Sequence, residues 1–214
     1  MSGFRSLVQI WMDKIPSMEL QPPLFKKMRL STSKTEIKDL LKAWIAISIA
    51  FGIILSSTEG YLSAFIISAI AVGFGFLLHE LGHKVVAQHY HLFAEFRSFD
   101  QMLILAILMS FLGFVFAAPG AVMIHGTHFL DYKKNGKISL AGPLVNLILA
   151  IIFLILISLN IFPLLSSYGF MINTWIALFN MIPIWNFDGK KILKWNKFIY
   201  FAFILISIIL ITFK

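Results

Sequence analysis

A chain that sets two histidines and a glutamate inside an unbroken apolar run has few ways to fold. Each of those groups is costly in hydrocarbon unless it is paired or bound to a metal ion. The run is GFGFLLHELGHKVVAQHY, Gly73 to Tyr90, and it carries His79, Glu80 and His83. On a helix, residues four apart lie about 40° apart around the axis, so the imidazoles of His79 and His83 project from one face about a turn apart. Two imidazoles so placed can share one metal ion, with Glu80 beside them to take a proton from metal-bound water. This is the H-E-x-x-H pattern of zinc hydrolases. The alternative is a polar patch satisfied by neighbouring helices.

The surrounding composition fixes the solvent. The 214 residues are 59% hydrophobic and 13% charged, with a mean hydropathy of +0.86. These values predict a multi-pass membrane protein in a lipid bilayer. The absence of cysteine excludes disulfides and thiolate metal sites. The net charge of +8 does not point to nucleic acid, because the basic residues fall in short loops between apolar runs, as the positive-inside rule expects. Residues 1–33 include Pro22, Pro23, Lys26, Lys27 and Arg29 without a continuous apolar core. They read as a cytoplasmic or interfacial tail near anionic headgroups rather than a signal peptide.

Ser33 followed by Glu36 reads as a capping box that opens a helix from about Thr35 to about Ser56. The SSTEG turn at 56–60 has no basic residue and belongs outside. A second helix from Tyr61 returns inward, and roughly 23 residues at about 1.5 Å each bring His83 close to the inner face. Met102 to Met123 is apolar enough to cross, but Lys133, Lys134 and Lys137 would then face outward. Gly113, Pro119, Gly120 and Gly126 also punctuate it. It is read as a re-entrant helix or strand that enters and leaves on the cytoplasmic side, with a true crossing followed by a second re-entry as the alternative. Lys137 to Leu159 is an outward span, Phe170 to Trp185 leads back in, and Phe198 to Phe213 is the last span. The expected architecture is an all-α multi-pass membrane protein. It has about five to six transmembrane helices, a re-entrant segment between the HELGH and AGPLVN helices, and one membrane-embedded domain over 34–214.

A catalytic zinc site usually takes three protein ligands and keeps one position for water. Downstream of His83 the acidic residues are Glu95, Asp100, Asp131 and Asp188, and the histidines are His89, His91, His125 and His128. His89 falls at the metzincin spacing, but Val86 stands where the helix-ending glycine belongs, and a continuing helix turns His89 about 240° from His83. Glu95 and Asp100 follow the helix closely and read as solvated loop charges. His125 and His128 read as interfacial loop residues that can approach the cleft. Asp188 fits better, at the end of an inward-going helix that returns it to the depth of the histidines, with Gly189 to allow a turn. Its alternative is a carboxylate paired with Lys190 or Lys191.

With HELGH, AGPLVN and NMIPIWNFDG taken together, the chain from about Tyr61 to Lys194 resembles the site-2 proteases, a family of intramembrane zinc metalloproteases. The resemblance implies one zinc ion on His79, His83 and Asp188, with Glu80 as general base. It also places the Gly-Pro-x-x-Asn motif, with Asn146, beside the cleft. The Asn146 amide is expected to hold a substrate strand or to donate to the developing oxyanion. The alternative is an interhelical hydrogen bond in the membrane core. Gly142 and Pro143 are expected to shape close packing at a helix start. Lys190 replaces a second glycine often seen in the family, and the run between the first two motifs is more helix-like than the family's strand-rich hairpin. The implied activity is hydrolysis of transmembrane protein or peptide substrates within or near the bilayer of the cell membrane, with the active site toward the cytoplasm. The rivals are a CAAX-processing type of protease, which needs Glu95 as a ligand, and a non-catalytic membrane metal binder or transporter. A site opening to one side, in a chain without internal duplication, disfavours the transporter.

Overall fold

The computed structural model describes residues 31–115, 119–125, 130–184 and 186–212. The expected tail, as far as residue 30, lies outside them, and so does His128.

Helix α1 (Lys34–Glu59) begins at Ser33, whose Oγ accepts the Glu36 N–H at 3.1 Å. The expected capping box forms only on that side. The Glu36 carboxylate, fully buried, accepts from Lys84 Nζ at 2.5 Å and from the Phe96 N–H at 3.0 Å. A buried anion gains more from a cation and a buried donor than from a helix-end N–H that water can reach. The helix also runs three residues past the expected Ser56, to Gly60, whose φ of 74° suits glycine and breaks the chain there.

Helix α2 (Tyr61–His89) is continuous, with a π-helical segment at Ser68–Gly73. The Trp44 indole of α1 donates to the Ala69 carbonyl in that segment at 3.0 Å. Strand β1 (Phe93–Ser98) follows, then α3 (Asp100–Ser110) and β2 (Gly120–His125). The strands pair antiparallel from Phe93↔His125 to Ser98↔Gly120, so the segment between them starts and ends at one place. The fold is therefore mostly helical but not all-α. Ala94 and Phe96 pack inward with Val122 and Ile124, and the pairing satisfies backbone groups that a loop would have to expose.

Helix α4 (Tyr132–Ser158) is the central helix, packed against α2, α5 (Pro163–Asn180) and α6 (Asp188–Trp195), with α7 (Lys197–Thr212) last. Asp131 caps α4 by accepting the Lys134 N–H at 2.6 Å. Pro143 lies inside α4 rather than at its start, where it cannot donate to the Ser139 carbonyl. Among the described residues three helices, α1, α2 and α4, are long and apolar enough to cross a membrane. Helix α7 is apolar but has 16 residues, and α5, the expected inward leg, buries Ser166, Asn173 and Thr174.

Candidate metal centre

The i, i+4 spacing on α2 turns His79 and His83 toward α4, and α4 passes them at Gly142. A Cβ at that position would lie 2.3 Å from His83 Nε2 and 2.6 Å from His79 Nε2. Only glycine leaves room for both rings. Asp188 comes from the first turn of α6, not from the end of the preceding helix. Gly189 beside it serves close approach rather than a turn, since a Cβ there would meet the Met181 carbonyl at 2.1 Å.

These elements bring three donor atoms to one point. His79 Nε2 and His83 Nε2 are 3.1 Å apart, and Asp188 Oδ2 is 3.6 Å from the first and 3.2 Å from the second. Ligands about 2.0 to 2.1 Å from a tetrahedral zinc ion are separated by about 3.3 Å. The observed separations straddle that figure, so the residues fit a zinc ion. Among the described residues this is the one cluster of three or more such side chains able to hold a metal.

The proton positions agree with that role. His83 Nδ1 lies 2.8 Å from the Ile138 carbonyl and His79 Nδ1 lies 2.5 Å from Asn146 Oδ1. Both neighbours are acceptors, so both Nδ1 atoms carry the proton and donate, leaving each Nε2 lone pair for the metal. The Asp188 carboxylate completes the set through Oδ2. Its other oxygen, Oδ1, is 4.0 Å from Lys191 Nζ, so the expected lysine pairing coexists with the histidine contacts.

Glu80 is nearly buried next to the pair, and the backbone N–H of Val122 in β2 faces its carboxylate. Asn146 is fully buried and its amide is committed within the core. Oδ1 accepts from His79, and Nδ2 donates to the Gly75 carbonyl at 3.1 Å and to Asn173 Oδ1 at 2.9 Å. The observed geometry is thus the interhelical arrangement, with the Asn146 amide oxygen turned to His79. Asn173 was not among the sequence candidates. The signal was there in an amide set within FMINTWIALF, which needs partners in hydrocarbon.

The remaining candidates are engaged elsewhere. Glu95 pairs with Arg97, and Asp100 accepts from Lys42 at 2.6 Å. Asp131 is the cap of α4. The His89 ring packs on Tyr90, and the His125 ring packs on Phe93.

No protein-family model matches the chain, and no solved structure matches it. It is similar to a Methanocaldococcus jannaschii protein provisionally named a zinc metalloprotease, at 44% identity over 173 residues, covering 78% of this chain and 88% of that protein. A second protein of that organism, named a zinc metalloprotease, is 32% identical over 125 residues, covering 55% of this chain and 30% of its own length.

Proposed function

The chain belongs to the zinc metalloprotease family of these archaeal relatives, and from that premise we propose that it is a site-2-type protease cleaving transmembrane substrates within or near the bilayer. The observation that carries the proposal is the cluster of two imidazole nitrogens, on a helix apolar enough to cross a membrane, and one carboxylate oxygen from α6, with Glu80 beside them.

His79, His83 and Asp188 would hold the zinc ion, which would supply Lewis acidity to a substrate carbonyl and to water. Glu80 is the general base. Its carboxylate takes the proton of the attacking water and returns it to the departing amine. Asn146 and Ile138 hold the Nδ1 protons of His79 and His83, which would leave both Nε2 lone pairs to the metal.

The register of β1 and β2 returns both ends of the intervening segment to one place, which supports its reading as re-entrant. A transmembrane helix hides its carbonyls in its own hydrogen bonds, so a substrate has to unwind locally, and an extended segment can then pair with a strand edge. Lys133, Lys134 and Lys137 fall in the first turns of α4, and Lys190, Lys191, Lys194 and Lys197 lie on α6 and α7, where the start of α4 meets the end of α6 at Gly136 and Trp195. Their sign supports a site open to the cytoplasm.

The test is Glu80→Gln. Zinc should remain at one per chain, while cleavage of a model transmembrane peptide in proteoliposomes falls by about 100-fold or more. Undiminished cleavage would remove Glu80 from the mechanism.

A further inference from the structure

We propose that Asn173 on α5 is a positioning residue of the metal centre, which fixes the orientation of the Asn146 amide and thereby the protonated nitrogen of His79. The inference rests on His79 being a zinc ligand and not on the identity of the substrate.

An asparagine amide accepts at one end and donates at the other, so its orientation follows from its neighbours. For Asn173 those neighbours are backbone carbonyls. Its Nδ2 lies 2.9 Å from the Gly169 oxygen and 3.2 Å from the Ala71 oxygen, both of which only accept. The nitrogen must stay on that side, so Oδ1 faces Asn146 at 2.9 Å. Only a donor is compatible there, and Asn146 presents Nδ2, which also reaches the Gly75 carbonyl. Asn146 Oδ1 is then turned to His79, and an acceptor 2.5 Å from Nδ1 places the proton on that nitrogen. The Nε2 lone pair is left facing His83 and Asp188.

Each orientation is forced by the one before it, and water has no access. Asn146 and Asn173 are both 0% exposed. Gly75 keeps the passage clear, since a Cβ there would lie 2.6 Å from Asn173 Oδ1. His83 reaches the same tautomer in a single step, from the Ile138 carbonyl. The backbone therefore orients one ligand directly and the other through two amides.

Asn173→Leu removes the acceptor that holds Asn146 in place, whereas Asn173→Asp keeps one and, held protonated because a buried carboxylate cannot face the Gly169 and Ala71 carbonyls, still donates to one of them. In the full chain in detergent, zinc affinity by chelator competition should fall about 10- to 100-fold in Asn173→Leu. The visible spectrum of the cobalt-substituted protein should change with it. Asn173→Asp should restore most of the affinity and the parental spectrum. Circular dichroism reports folding, and Asn173→Ala replaces the leucine variant if that one misfolds. Parental affinity in the folded leucine or alanine variant, or a loss that aspartate does not rescue, would overturn the proposal. Failure of the unmodified protein to bind zinc would instead overturn the metalloprotease reading.

Discussion

Two i, i+4 pairs share α2, about 140° apart around its axis, and they meet different neighbours. His79 and His83 face α4 and α6, whereas Lys84 and Gln88 face α1 and β1. On the second face every interaction closes. Lys84 Nζ donates to Glu36 at 2.5 Å and to Thr32 Oγ1 at 2.9 Å. Gln88 Nε2 donates to the carbonyls of Ser31 at 3.0 Å and Ala94 at 3.2 Å. On the first face two imidazole lone pairs and a carboxylate oxygen converge with no donor among them. Burial of a polar group in an apolar helix is therefore not by itself a sign of chemistry. What separates the two faces is whether the partners complete each other or leave a place for a cation.

The faces also cooperate. Glu36 accepts the Phe96 N–H of β1 while it holds Lys84, and β1 is paired to β2, whose Val122 N–H faces Glu80. The closed face thus places the hairpin that borders the open one.

The largest effect that separates them is expected from Gly142→Ala. The added methyl would sit 2.3 Å from His83 Nε2, so the folded protein should lose its zinc while keeping its helix content. Full zinc in the purified variant, measured by elemental analysis, would mean that α4 does not press on the imidazoles. A smaller and opposite effect is expected on the closed face. Lys84→Met leaves the Glu36 carboxylate buried without its cation and should destabilise the fold by about 3–5 kcal/mol, with the Glu36→Gln/Lys84→Met double variant recovering most of that loss. Denaturation in detergent measures both. The folded fraction should still bind one zinc per chain, and loss of metal in a well-folded double variant would blur the distinction between the faces.

Much of this was legible in the sequence. HELGH fixes a helical face by spacing alone, the topology returns Asp188 to it, and the long helices follow from apolar runs. The parts that were not legible depend on distant partners. Glu36 has the local form of a capping residue three after Ser33, and nothing nearby shows that Lys84, 48 positions on, will take its carboxylate. Asn173 likewise meets Asn146 across 27 positions. Strand β1 has six residues next to a helix end, too few for alternation to stand out from a loop. Pro143 reads as a helix start because an internal proline is costly, yet α4 carries it directly beside Gly142, where the helix passes the imidazoles.

The central claim is that side chains from two separate helices grip one zinc ion, and the zinc content of Asp188→Ala beside that of the unmodified protein tests it most directly. One zinc per chain in the unmodified protein and none in the folded variant is the predicted result. Equal zinc in both would contradict it and place the third ligand elsewhere.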